Sequence, residues 1–136
     1  MSKYKRLELQ FKNRESLEAA LKEVGVPFEQ AAGNTLSLYG YHGDERPERA
    51  AFVIRRANIG GSSNDMGFAL RPDGSFEAII SEFDSGEGQR GLAILNRIKQ
   101  AYGVNEVTRQ ARMRGYGVQR VPAPGGSIRL QLVKRS

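Results

Sequence analysis

None of the 136 residues is cysteine. That removes disulfides, thiolate metal sites and cysteine nucleophiles together. Histidine is almost as scarce: His42 is the single one, after Tyr39-Gly-Tyr41 and near Asp44 and Glu45. A histidine–carboxylate pair can serve as a general base, but no partnering nucleophile or oxyanion site is identifiable, and His42 reads as a solvated loop residue. The acids around it (Asp44, Glu45, Glu48) lack the ordered spacing of an oxygen-ligand metal site. Long apolar runs are missing as well. Nothing approaches the roughly 20 residues of a membrane helix, and the start, Met1-Ser-Lys-Tyr-Lys-Arg-Leu-Glu-Leu, reads as a strand and not as a signal peptide. The expectation is a non-membrane, cytoplasmic protein with neither metal nor cofactor and no catalytic residue.

The last third has almost no acid. Residues 88–136 hold ten basic residues against Glu106 alone, a net of +9, whereas residues 1–87 hold 11 basic and 14 acidic residues, a net of −3. A local field of this size governs association with polyanions far more than it governs fold. The chain is long enough for one core, and the expectation is a single domain over residues 1–136.

Alternation of Leu7, Leu9 and Phe11 with polar neighbours predicts a first strand. Asn13 is a suitable N-cap for a helix whose apolar stripe is Leu17, Ala20, Leu21 and Val24, ended by Gly25. Leu36 and Leu38 mark a second strand and residues 51–56 a third. The segment Gly43-Asp-Glu-Arg-Pro-Glu-Arg between them reads as a charged loop, and Gly60-Gly61-Ser62-Ser63 as a flexible one. A hairpin is expected from Met66–Leu70 and Phe76–Glu82 around Pro72-Asp-Gly. Next comes a helix with Leu92, Ile94, Leu95, Ile98 and Tyr102 on one side, ending at Gly103, and then a shorter one from Asn105 to Met113. A last hairpin spans Tyr116–Val121 and Ile128–Val133, with Ile128, Leu130 and Leu132 inward. The two hairpin turns share Pro-x-Gly-Ser chemistry 52 residues apart, a hint of a pseudo-repeat. The whole predicts an α+β fold: a mainly antiparallel sheet with two to three helices packed on one face.

Gly86-Glu-Gly88-Gln-Arg-Gly91 matches the dinucleotide pattern G-x-G-x-x-G, with Glu106 20 residues beyond its first glycine. The pattern works only where a parallel strand–helix–strand unit surrounds it. Here the preceding strand belongs to a tight hairpin and no parallel strand follows, so the segment reads as a glycine-rich helix start. A bare phosphate on its amides stays open.

The functional candidates are therefore basic. Arg90 and Arg97 lie seven apart, Lys99 is offset, Arg109 and Arg112 lie three apart, and Arg114 and Arg120 follow. Such a stripe is spaced for phosphates or an acidic protein surface, with Tyr102 and Tyr116 available to stack on bases. In its plainer form, Tyr102 completes the core stripe and some arginines pair with acids of the first half.

The run Leu17-Glu-Ala-Ala-Leu-Lys-Glu-Val-Gly25, then Leu38-Tyr-Gly-Tyr41, Asp65-Met-Gly-Phe68, Gly74-Ser-Phe-Glu-Ala-Ile, Arg114-Gly-Tyr116 and Gly126-Ser-Ile-Arg-Leu-Gln-Leu132 carry a resemblance over nearly the whole chain. The layout resembles an uncharacterised small-domain family. That family includes the hypothetical chloroplast open reading frame thirty-five proteins of plastids and cyanobacteria, with bacterial relatives. The chain departs from plastid members in lacking their tryptophans and the histidine after Met-Ser. The resemblance implies no activity, cofactor or catalytic residue. It does imply an adaptor, since bacterial members accompany AAA-type ATPases. Two expectations stand: an adaptor docking on a protein partner, possible candidate an AAA-type ATPase, and a nucleic-acid binder using the arginine stripe.

Overall fold

A computed structural model of the chain describes residues 3–86 and 88–134; the side chains of residues 8–10 lie outside that description, and with them the inward placement of Leu9. In chain order the elements are β1 (Tyr4–Phe11), α1 (Arg14–Val24), β2 (Glu29–Gln30), β3 (Leu36–Tyr39), β4 (Glu45–Ala50), β5 (Phe52–Ile54), β6 (Met66–Leu70), β7 (Phe76–Ser81), α2 (Glu82–Ser85), α3 (Arg90–Met113), β8 (Tyr116–Pro122) and β9 (Ile128–Lys134). Five strands form a sheet in the order β1-β7-β6-β5-β2, and β3-β4 and β8-β9 form separate two-stranded sheets. All the described pairings are antiparallel. The fold is the expected α+β arrangement.

Alternation along the central strands sets the layers, because successive side chains leave opposite faces. Phe52, Ile54, Met66, Phe68, Phe76, Ala78 and Ile80 point to one face, where they meet Leu17, Ala20 and Leu21 of α1 and Leu95 and Ile98 of α3. Val53, Ala69 and Ile79 point to the other and meet Leu38 and Ala50 of the β3-β4 sheet. Both faces of the central sheet are thus covered, which explains why the β7 sequence is apolar at consecutive positions. Burying each large side chain here contributes about 1.5–3 kcal/mol.

Local chemistry places the helices. Asn13 Oδ1 accepts from Ser16 N at 2.9 Å at the start of α1, and Gly25 ends it at φ +80°. Gly74 closes the β6-β7 turn in the same left-handed region (φ +87°), with Arg71 N donating to Ser75 O at 2.7 Å. Ala123 N donates to Ser127 O at 3.0 Å in the corresponding turn between β8 and β9. The two turns are alike, but the strands behind them differ: β7 is central and buried, β9 exposed.

Three expectations are corrected. The charged segment after Gly43 is not a loop but supplies β4, in which Glu45, Pro47 and Arg49 face outward and Ala50 is buried. Gly103 does not end a helix: α3 runs 24 residues through it, because an exposed glycine inside a helix costs only about 1 kcal/mol and buried Ala101 and Val104 flank it. The final hairpin is not part of the core. Ile128, Leu130 and Leu132 do share one face, yet Ile128 is 37% and Leu132 56% exposed.

A candidate docking surface on the last helix and ribbon

The uninterrupted α3 decides where the basic residues go. From Arg90 to Arg112 the helix rises about 33 Å, so the stripe is drawn out along the molecule and is not gathered into one patch. Arg90 stands at the helix start beside Gly60, Gly61, Ser62, Ser63, Phe83 and Gly88, around a cavity of about 280 Å³. Arg97 donates to Val24 O at 3.2 Å, at the end of α1, where a cation complements the helix dipole. Lys99 is exposed. Arg109 is tied up: it forks onto Glu106, Nε to Oε1 and Nη2 to Oε2, both at 2.9 Å. Arg120 on β8 pairs with Glu23 of α1 at 2.9 Å. Arg112 and Arg114 have no partner among the described residues. The aromatic pair also splits. Tyr102 stacks edge-on against Phe11 at 5.0 Å and its hydroxyl accepts from Asn13 N, so it belongs to the packing of α1 on α3. Tyr116 is 37% exposed.

Glu106 organises the seam between the two long helices. Besides Arg109 it accepts from Ser16 Oγ at 2.8 Å and Gln110 Nε2 at 2.9 Å. Hydrogen bonding from Arg109 above all, then from Gln110 and Ser16, holds its carboxyl at about 2. Beside this seam lies a groove of about 410 Å³ lined by Glu15, Ala19, Thr108, Arg112 and Met113 among others.

Past the groove the surface turns apolar. Met113 is 74% exposed, and Leu132 and Val133 lie open on the β8-β9 ribbon. The register puts Tyr116 opposite Lys134 and Val118 opposite Leu132, so Tyr116, Leu132 and Lys134 share one face three residues beyond Met113. Residues 107–136 contain no acid. Val133 and Arg129 leave the opposite face, so exposed aliphatic side chains stand on both sides of the ribbon, and Arg112, Arg114, Arg129 and Lys134 have no side-chain partner among the described residues. These exposed aliphatics were hidden in the sequence, where their alternation is that of a half-buried strand.

The acids that the sequence left unassigned are structural. Asp65 is buried and accepts from Tyr39 N (2.9 Å), Arg56 N (2.8 Å) and Arg55 Nη1 (2.8 Å). Arg55 continues to Glu29, whose carboxyl it holds below the ordinary range through their hydrogen bonds. Nearby, burial chiefly pushes the Tyr4 hydroxyl up; it donates to Tyr39 O at 2.7 Å. Asp84 is buried too, accepting from Ser81 Oγ (2.7 Å) and Asn64 N (2.9 Å). Glu82 is exposed. The glycine motif serves packing: a Cβ on Gly88 would meet the Phe83 ring at 2.5 Å, and one on Gly91 would meet Asp84 Cβ at 2.6 Å. Those glycines let α2 lie against α3. His42 sits in a turn with its ring 4.8 Å from that of Tyr41, and no group of three or more potential metal ligands occurs among the described residues. No helix is long and apolar enough to cross a membrane among them.

No curated protein and no solved structure matches the chain. One family model does, over residues 20–130, from α1 to within β9. The chain belongs to that family, described as proteins of unknown function, DUF1257.

Proposed function

We propose that the protein is a non-catalytic adaptor that docks on a macromolecular partner through the C-terminal end of α3 and the β8-β9 ribbon. The observation that carries this reading is the exposure of Met113 at the end of α3 and of Leu132 on the ribbon face it shares with Tyr116 and Lys134, within a basic, acid-free segment. Apolar side chains at such a place favour a partner that removes them from water, and cations around them select an acidic one. The engagement of Asp65 and Asp84 with backbone amides supports a structural role for the acids best placed for chemistry. The resemblance to a family whose bacterial members accompany AAA-type ATPases supports such an ATPase as the partner, in a cytoplasmic setting.

The test is capture of partners from the native source by the full chain and by a variant carrying Met113→Glu and Leu132→Glu. The adaptor reading expects a defined complex, weakly dependent on salt, that the double variant loses. A mobility shift with single- and double-stranded DNA and RNA at two salt concentrations addresses the alternative. A shift that falls steeply with salt and shrinks in R112A would replace the adaptor with a nucleic-acid binder. The pairing of Arg109 and Arg120 with acids and the packing of Tyr102 weigh against that outcome.

A further inference from the structure

The edge of β9 is open. Among the described residues β9 pairs with β8 alone. The bond from Ala123 N to Ser127 O marks that opposed pair as hydrogen-bonded. Antiparallel ladders alternate hydrogen-bonded and non-hydrogen-bonded pairs. Arg129, Gln131 and Val133 therefore turn their backbone groups toward β8, whereas Ile128, Leu130 and Leu132 turn theirs away. On the far side of the ribbon the same alternation places Pro122 on an outer edge, where its missing N–H costs nothing. A row of unpaired N–H and C=O groups on an exposed strand is a template for another strand.

We propose that β9 receives an acidic, extended peptide segment of a partner protein as an added antiparallel strand. This rests on the reading of the ribbon as a docking surface. The charges select the occupant. A segment laid antiparallel on β9 meets Lys134, then Leu132, Leu130 and Arg129, so the complementary pattern is acid-x-apolar-x-apolar-acid. A second copy of β9 offers no matching charge: with outward residues paired and Gln131 at the centre, Lys134 falls opposite Ile128 and Arg129 opposite Val133, so both cations stay uncompensated where an acidic segment would neutralise them. A phosphate backbone can accept from outward N–H groups, but it leaves the outward C=O groups and the aliphatic side chains without a partner.

The probe is a fluorescein-labelled hexapeptide, Glu-Thr-Val-Thr-Val-Glu, blocked at both ends and read by anisotropy against the full chain. Binding is expected. N-methylation of the two valine amides, which face Leu130 and Leu132, weakens it about tenfold or more, while N-methylation of the two threonine amides leaves it near its starting value. The protein variant R129E with K134E loses the acidic peptide and gains Lys-Thr-Val-Thr-Val-Lys; circular dichroism of the variant confirms its fold. Equal weakening by both N-methylation patterns, or none by either, overturns strand addition. If the acidic peptide fails to bind while partner capture still depends on Met113 and Leu132, strand addition falls and the docking surface stands. If capture is also indifferent to those residues, both fall. Displacement of the peptide by an oligonucleotide, with binding of that oligonucleotide lost in R129E with K134E, assigns the edge to nucleic acid and likewise overturns the proposal.

Discussion

Single residues divide here into those that hold the fold and those left over. Asp65 belongs to the first kind. Its carboxylate satisfies two backbone amides and Arg55 in a site closed to water, and removing one partner of such a set strands the others. Asp65→Ala is expected to cost about 3 kcal/mol or more of unfolding free energy, and Asp65→Asn less, because one acceptor oxygen remains; urea unfolding of the two variants measures it. Glu106 gives a pH dependence. Its folded pKa of about 2 lies below the ordinary glutamate value of about 4.3. Its contribution to stability is thus complete above about pH 4.3 and is lost as the pH falls toward 2. In Glu106→Gln the acid limb of a melting-temperature profile should be shallower in that window, with the neutral limb lower than wild type. Sequence could nominate neither role. Asp65 follows a glycine-serine loop as a turn residue would, and Glu106 looks like a lone acid among bases until Ser16, 90 positions away, is brought against it.

Elements were legible wherever periodicity coincided with burial. The α1 stripe, its Asn13 cap and the Gly25 stop, the β6-β7 hairpin and the antiparallel α+β class all follow from local pattern. The failures share one cause: a local signal whose outcome depends on what lies opposite. Glu45–Ala50 is charged enough for a loop, but Ala50 every-other-residue with Glu48 and Arg46 lets it pair with β3 and close over β6. Gly103 would stop an isolated helix, but α1 packs along α3 on both sides of it. The closure of the β3-β4 sheet itself depends on Gly67, where a Cβ would come within 2.9 Å of Ala50 Cβ and 3.0 Å of Leu38 Cδ1. Gly67→Ala should therefore destabilise by about 1–3 kcal/mol, and Gly67→Val by more. Gly117→Ala on β8 is the control. Its new Cβ meets only Val133 O, at 3.6 Å, so its unfolding free energy from urea denaturation should stay within about 0.5 kcal/mol of wild type.

For the molecule as a whole, the covered core and the uncovered ribbon are separate devices. The central sheet is buried by α1 and α3 on one face and by β3-β4 on the other. No residue from 112 to 134 is fully buried. The ribbon is fastened by partial contacts: Arg120 to Glu23, Gln100 Nε2 to Gly126 O at 3.3 Å, and Ile128 beside Arg97 and Ala101. An exposed ion pair of this kind is worth about 0–1 kcal/mol. This explains why the alternation of β9 misled: Ile128, Leu130 and Leu132 carry the pattern of a strand with something over one face, and among the described residues nothing completes the cover. Truncation after Arg114 tests the separation. The shortened chain should remain folded, its melting temperature lower by no more than about 5 °C, because the three-layer core is intact. It should lose the partner captured by the full chain, and the acidic hexapeptide with it. A truncated chain that unfolds at room temperature would mean that the ribbon is the missing wall of the core, and its exposed leucines would then be no surface for a partner at all.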